Sequence, residues 1–109
     1  MRFMLFICED PTAEPYKPEE DNIGEWVESL GEHAVIGDRL RPAAQAVTVR
    51  RRNGEVTVTD GPFTESKELI AGFDIVEVAD QAEAIEIASR HPMARFGRVE
   101  VREFWPFEG

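Results

Sequence analysis

The 109 residues hold only one cysteine, two histidines and one tyrosine. A single Cys8 excludes an intrachain disulfide and suits a reducing compartment. There is no HExxH, no CxxC and no close His/Cys cluster, so no metal site is predicted. No glycine-rich phosphate loop occurs, and no cofactor is expected. Positive charge is also scarce: 12 Lys and Arg face 22 Asp and Glu, for a net charge of −10 and a pI near 4.6. Such a surface repels nucleic-acid phosphates and anionic membrane faces. The densest basic run, Arg50-Arg51-Arg52, is divided between the two faces of a strand by simple alternation. Long apolar runs are missing as well. The opening MRFMLFICEDP meets acid and proline after a few residues, too soon for a signal peptide or a bilayer span. The expectation is a cytoplasmic protein that binds neither nucleic acid nor membrane.

What is present reads as one α+β domain over residues 1–109, with 42% hydrophobic and 31% charged residues. Residues 2–8 predict a buried strand, and the proline-bearing segment from Glu9 to Pro18 an acidic loop. A helix is expected from Glu19, its apolar stripe formed by Ile23, Trp26, Val27, Leu30 and Ala34. VTVRRRNGEVTVTD is a hairpin, because Asn53-Gly54 between alternating strands suits a two-residue type I′ turn. That turn sets Arg52 against Glu55, Val49 against Val58 and Val47 against Asp60. Asp60 then shares the apolar face with Val47, Val49, Val56 and Val58. Residues 69–78 predict a strand apolar on both faces. A second helix follows, with Asp80 as N-cap and Glu83 completing a capping box. Its stripe is Ala84, Ile85 and Ala88, and it ends at His91-Pro92. A last strand runs from Arg98 to Trp105. The order β-α-β-β-β-α-β is a ferredoxin-like plan in an antiparallel sheet, with an extra strand or with its third strand split at the Asp60 loop. Two helices cover only one face of such a sheet, yet the first and fourth strands are apolar on both. A second copy of the chain is the simplest cover, so a homodimer is expected.

Asp60 is the leading candidate for acid–base chemistry, since a carboxylate on an apolar face tends toward a raised pKa. The alternative is that it caps the turn at Gly61-Pro62. Lys67, with Glu65 and Phe63 in the same loop, is a candidate to hold an anionic substrate; the alternative is a solvated mixed-charge loop. Glu100 and Arg102 share the face of the last strand opposite Val99 and Val101. They either line a cleft on the dimer side, where the guanidinium would grip a carboxylate, or form ion pairs across the interface. His91 is a weaker catalytic candidate, because the end of a helix favours its protonated form without any reaction. His33 reads as solvated.

DGPFTESKE, followed by AGFDIVEV, AEAIEIASRHP and RVEVREF, resembles the DGPF group of the YCII-related family, and MRFMLFICED fits the same pattern. The resemblance covers nearly the whole chain. It implies a dimeric α/β barrel, two ferredoxin-like sheets packed face to face with a cleft between them. YCII-type relatives include a dehydrochlorinase, and a His-Asp dyad has been proposed for the family. Asp60 is the matching candidate for the aspartate, while the stretch from Glu20 to Trp26 holds no histidine. DGPF proteins are often encoded beside extracytoplasmic-function sigma factors. Two functions follow. One is a cofactor-independent lyase- or isomerase-like enzyme acting on a small anionic metabolite. The other is a ligand-binding or regulatory module linked to sigma-factor signalling.

Overall fold

The computed structural model describes residues 1–61 and 69–107. Six strands and three helices follow one another: β1 (Arg2–Glu9), α1 (Ile23–Leu30), β2 (Ala34–Arg39), β3 (Val47–Arg52), β4 (Glu55–Asp60), β5 (Leu69–Glu77), α2 (Gln81–Ser89), α3 (Met93–Phe96) and β6 (Arg98–Glu103). Four strands form one antiparallel sheet in the order β2-β5-β1-β6. This is the ferredoxin-like order, in which each helix connects two strands that flank a third. The remaining two, β3 and β4, pair only with each other.

That arrangement corrects the expected plan in one respect. The hairpin does not supply the sheet's second strand; Ala34–Arg39 does, pairing with β5. Ala34 had been expected to end the apolar stripe of α1. The helix stops earlier because Gly31 takes a positive φ of 52° at its C-terminus, a conformation that ends helices. Its start is fixed by Asp21, whose Oδ1 accepts from the Ile23 N–H at 3.0 Å. The predicted entry at Glu19 is instead a separate 3₁₀ turn over Pro18–Glu20.

Alternation divides the sheet into two faces. Phe3, Leu5, Ile7 and Val76 point at the helices and are almost wholly buried with Trp26, Leu30, Ala84, Ile87 and Ala88. Ile87, rather than Ile85, completes the α2 stripe, and Ile85 is exposed. The capping box forms: Asp80 accepts from the Glu83 N–H at 2.9 Å, and Glu83 from the Ala79 N–H at 3.0 Å. On the other face Met4, Phe6, Phe73 and Ile75 are only half-buried, and Ile36 is exposed. No helix of the described residues is long and apolar enough to cross a membrane.

The hairpin has the predicted register, with Val47 opposite Asp60, Val49 opposite Val58 and Arg52 opposite Glu55. Asn53 and Gly54 both have positive φ, 52° and 80°, as a type I′ turn requires.

Candidate functional site

One cleft of about 530 Å³ opens on the helix-facing side of the sheet, between the β2–β5 edge, α1 and the junction of α2 with α3. Its walls come from five separated stretches of chain, including Tyr16, Asp21, Ile23 and Val27, Gly37 to Arg39, Gly72 and Asp74, and His91 to Met93. Ile23 and Val27, expected in the core stripe of α1, border this opening and are therefore exposed.

Asp74 is the ionisable group at its floor. It lies opposite Leu5 on β1 and Gly37 on β2, on the same face as the buried Val76. A carboxylate here interrupts an apolar surface. It has no hydrogen bond or ion pair among the described residues, and its burial raises its pKa to about 6. The space it occupies exists because residue 37 is glycine. A Cβ at that position would lie 1.9 Å from Asp74 Oδ1.

His91 is buried, at 5% exposure. Its Nδ1 accepts from the Met93 N–H at 2.9 Å, and its ring meets Trp26 edge-on at 4.5 Å. Trp26 is itself anchored by its Nε1–H, which donates to the Ile87 carbonyl at 2.9 Å. Burial pushes the imidazole pKa down to about 4, only partly opposed by the Asp21 charge. The helix-end argument for a protonated His91 is thus corrected: α2 ends at Ser89, and desolvation outweighs the end of the helix. The neutral ring accepts at Nδ1 and so carries its proton on Nε2.

Tyr16 and Asp21 bring a third wall from the acidic loop. The Tyr16 hydroxyl donates to Asp21 Oδ2, which raises the phenol pKa. That loop is strapped to α3. Arg95 Nε donates to Glu14 at 2.6 Å and Nη1 to Glu20 at 3.3 Å, while Tyr16 packs edge-on against Phe96 at 5.3 Å. Arg39, from the end of β2, lines the cleft without a carboxylate partner among the described residues.

The residues singled out from the sequence are not gathered here. Of those among the described residues, only His91 lines the cleft. Asp60 lies on the valine face of the hairpin, as its pairing demanded, and is exposed there. Glu100 and Arg102 lie opposite Phe6 and Met4, on the sheet face away from the helices and from the cleft. Phe63, Glu65 and Lys67 fall outside the described residues. His33 is half-exposed and bonds through Nδ1 to the Glu77 carbonyl at 2.8 Å. Asp74 was missed, although its parity with Val76 and Val78 in IAGFDIVEV is a readable signal: an acid on the inward side of a buried strand. Among the described residues no group of three His, Cys, Asp or Glu side chains is placed to hold a metal ion.

A family model for the YCII-related domain matches residues 1–108, nearly the full chain. The chain belongs to the YCII-related domain family. A relative from Rhizobium meliloti (strain 1021), named uncharacterized protein R00369, is 44% identical over 50 residues. Those residues make up 46% of this YCII-related chain and 40% of the relative, so the likeness spans less than half of either.

Proposed function

We propose that this YCII-related protein is a cofactor-independent acid–base enzyme for a small carboxylate-bearing molecule, with the helix-side cleft as its active site. Asp74 is the proton carrier. An unpartnered carboxylate with a pKa of about 6 exchanges a proton readily near neutrality, and that single feature carries the reading. Arg39 anchors the anionic end of the substrate by charge-assisted hydrogen bonds. The neutral His91 offers its Nε2–H as a donor to a developing negative charge. Proton abstraction next to a carboxylate, followed by elimination or isomerisation, needs nothing further. The reading places the protein in the DGPF group and in the cytoplasm, as a homodimer in which the half-buried sheet faces of two copies pack together. Glu100 and Arg102 then belong to the dimer's interface.

A second reading uses the same cleft without turnover, as a metabolite sensor in sigma-factor signalling. It is favoured by one observation: Asp74 and His91 share no hydrogen bond. The two readings separate in an NMR screen of small carboxylates against wild type, Asp74→Asn and Arg39→Gln, with every hit assayed for conversion. Shifts at Gly37, Asp74 and His91 with product formed by wild type but not by Asp74→Asn mark an enzyme. The same shifts without product mark a sensor. Hits that perturb none of these residues would remove the cleft from the function altogether.

A further inference from the structure

The β3–β4 hairpin is a two-stranded sheet of its own, exposed along almost its whole length. Its register puts Val47, Val49, Val56 and Val58 on one face, each between 54% and 63% exposed. Thr48, Thr57 and Thr59 alternate with them on the other face. A lone two-stranded hairpin is only marginally stable in water. One whose four valines share a side, interrupted by Arg51 and by Asp60 at its end, is built to have that side covered. The chain is also more extended than a self-contained domain. Its radius of gyration is 16.0 Å, against about 13 Å for a compact domain of some 100 residues.

We propose that the hairpin is an arm that docks on a second copy of this chain, valine face inward, and completes the cover over that copy's open sheet face. The claim rests on the homodimer reading above but goes beyond it, since two sheets can pack together without any help from an arm.

Three observations select a second copy as the occupant. The open sheet face offers the matching surface, with Met4, Phe6, Phe73 and Ile75 half-buried and awaiting cover. Charge is compatible with the same pairing. Arg51, opposite Val56, lies on the valine face with Asp60 at its end, while Arg50 and Arg52 lie on the other face. Asp38 and Glu100, beside Arg102, stand on the open sheet face to receive Arg51. Area supplies the third. A specific dimer buries roughly 800 Å² per partner, more than four valines can offer, so the arm works only together with the sheet face.

The test mixes isotope-labelled and unlabelled protomers and reads contacts between them by isotope-filtered NOEs, alongside sedimentation equilibrium. Val49 and Val58 methyls are expected to contact the partner subunit's Phe6 and Phe73. The double variant Val49→Thr/Val58→Thr, which keeps the branched shape that suits a strand, is expected to weaken the dimer at least about tenfold. Intramolecular NOEs between positions 49 and 58 confirm that its hairpin still forms. A dimer weakened by Phe6→Ser but indifferent to the valines, with no NOE from the hairpin, overturns the arm and leaves the sheet-against-sheet dimer standing. A wild-type chain that stays monomeric overturns both.

Discussion

Asp74 and His91 border one cleft, yet burial moves them in opposite directions across the same pH range. A carboxyl at 3.8 when unfolded and about 6 when folded holds its proton longer in the folded state. Its contribution to stability is therefore complete below about pH 4 and declines as the pH rises to 6. The ceiling on that decline is about 3 kcal/mol. Asp74 is only half-buried, and water in the cleft screens it, so a decline of about 1 kcal/mol is expected. His91 does the reverse. Its pKa falls from 6.5 to about 4 on folding, so the unfolded chain takes up the proton first. Stability is then full above pH 6.5 and lost as the pH drops toward 4, by about 2 kcal/mol for a ring this well buried. In the wild type the two slopes partly offset each other, leaving a net change of about 1 kcal/mol, and single variants separate them. Relative to wild type, Asp74→Asn should gain about 1 kcal/mol at neutral pH and almost nothing near pH 4; the neutral-pH gain corresponds to roughly 4–8 °C in Tm. His91→Asn keeps an acceptor for the Met93 N–H. Its deficit relative to wild type should be largest at neutral pH and shrink toward pH 4. Urea unfolding followed by the fluorescence of buried Trp26 reads both effects, in a Trp105→Phe background because Trp105 is 94% exposed. A stability difference that stays flat from about pH 4 to neutrality in either variant would refute the account of that group.

Gly37→Ala should displace the Asp74 carboxylate, because its Cβ would sit 1.9 Å from Oδ1; ligand shifts at Asp74 should vanish while the thermal midpoint moves little, and a chain that unfolds outright would show the space to be structural. Arg39→Gln should weaken binding of a carboxylate ligand at least about tenfold with no change in urea midpoint, as expected for a charge-assisted contact; calorimetric titration decides it. Trp26→Phe removes a buried donor, and since the Ile87 carbonyl keeps the Arg90 N–H at 3.2 Å, the lost bond should cost about 1 kcal/mol. Asp80→Ala should cost about 1 kcal/mol by loss of the N-cap, with hydrogen exchange accelerated in the first turn of α2 before anywhere else.

Local chemistry was the readable part of the fold. Asn53-Gly54 dictates a type I′ turn, the turn dictates a register, and every pair along the hairpin follows from it. Asp80 and Glu83 announce α2 in the same way. The strand Ala34–Arg39 escaped because Ala34 continues the helical spacing of Leu30 and because Gly37 breaks a short apolar run. Only pairing with β5, a contact between residues far apart in sequence, makes it a strand. The cleft escaped for a related reason. It joins a loop, two sheet strands and a helix junction, and no spacing rule connects residues 21, 39, 74 and 91. His91 is the sharpest case. Its place beside a helix end suggested a proton-holding ring, whereas burial, with Trp26 edge-on against it, makes it a proton-rejecting one.

The same contrast bears on why we place the proposed chemistry at Asp74 rather than at Asp60. Asp60 is exposed and ends a hairpin strand, where an aspartate costs the fold nothing and a turn accounts for it. Asp74 costs something. It faces Leu5 across the sheet and shares its side with Val76, both fully buried, so a valine there would extend the core without a break. A purely structural acid in such a position would be paired or hydrogen-bonded, because an unpartnered buried carboxylate is unfavourable. Asp74 is neither, and the residue beside it is a glycine whose missing side chain leaves its carboxylate room. Arg39, on the same cleft wall, has no carboxylate partner among the described residues either, so one acid and one cation face the cleft together. A small anion that brings its own carboxylate to Arg39 and a labile proton to Asp74 satisfies both at once.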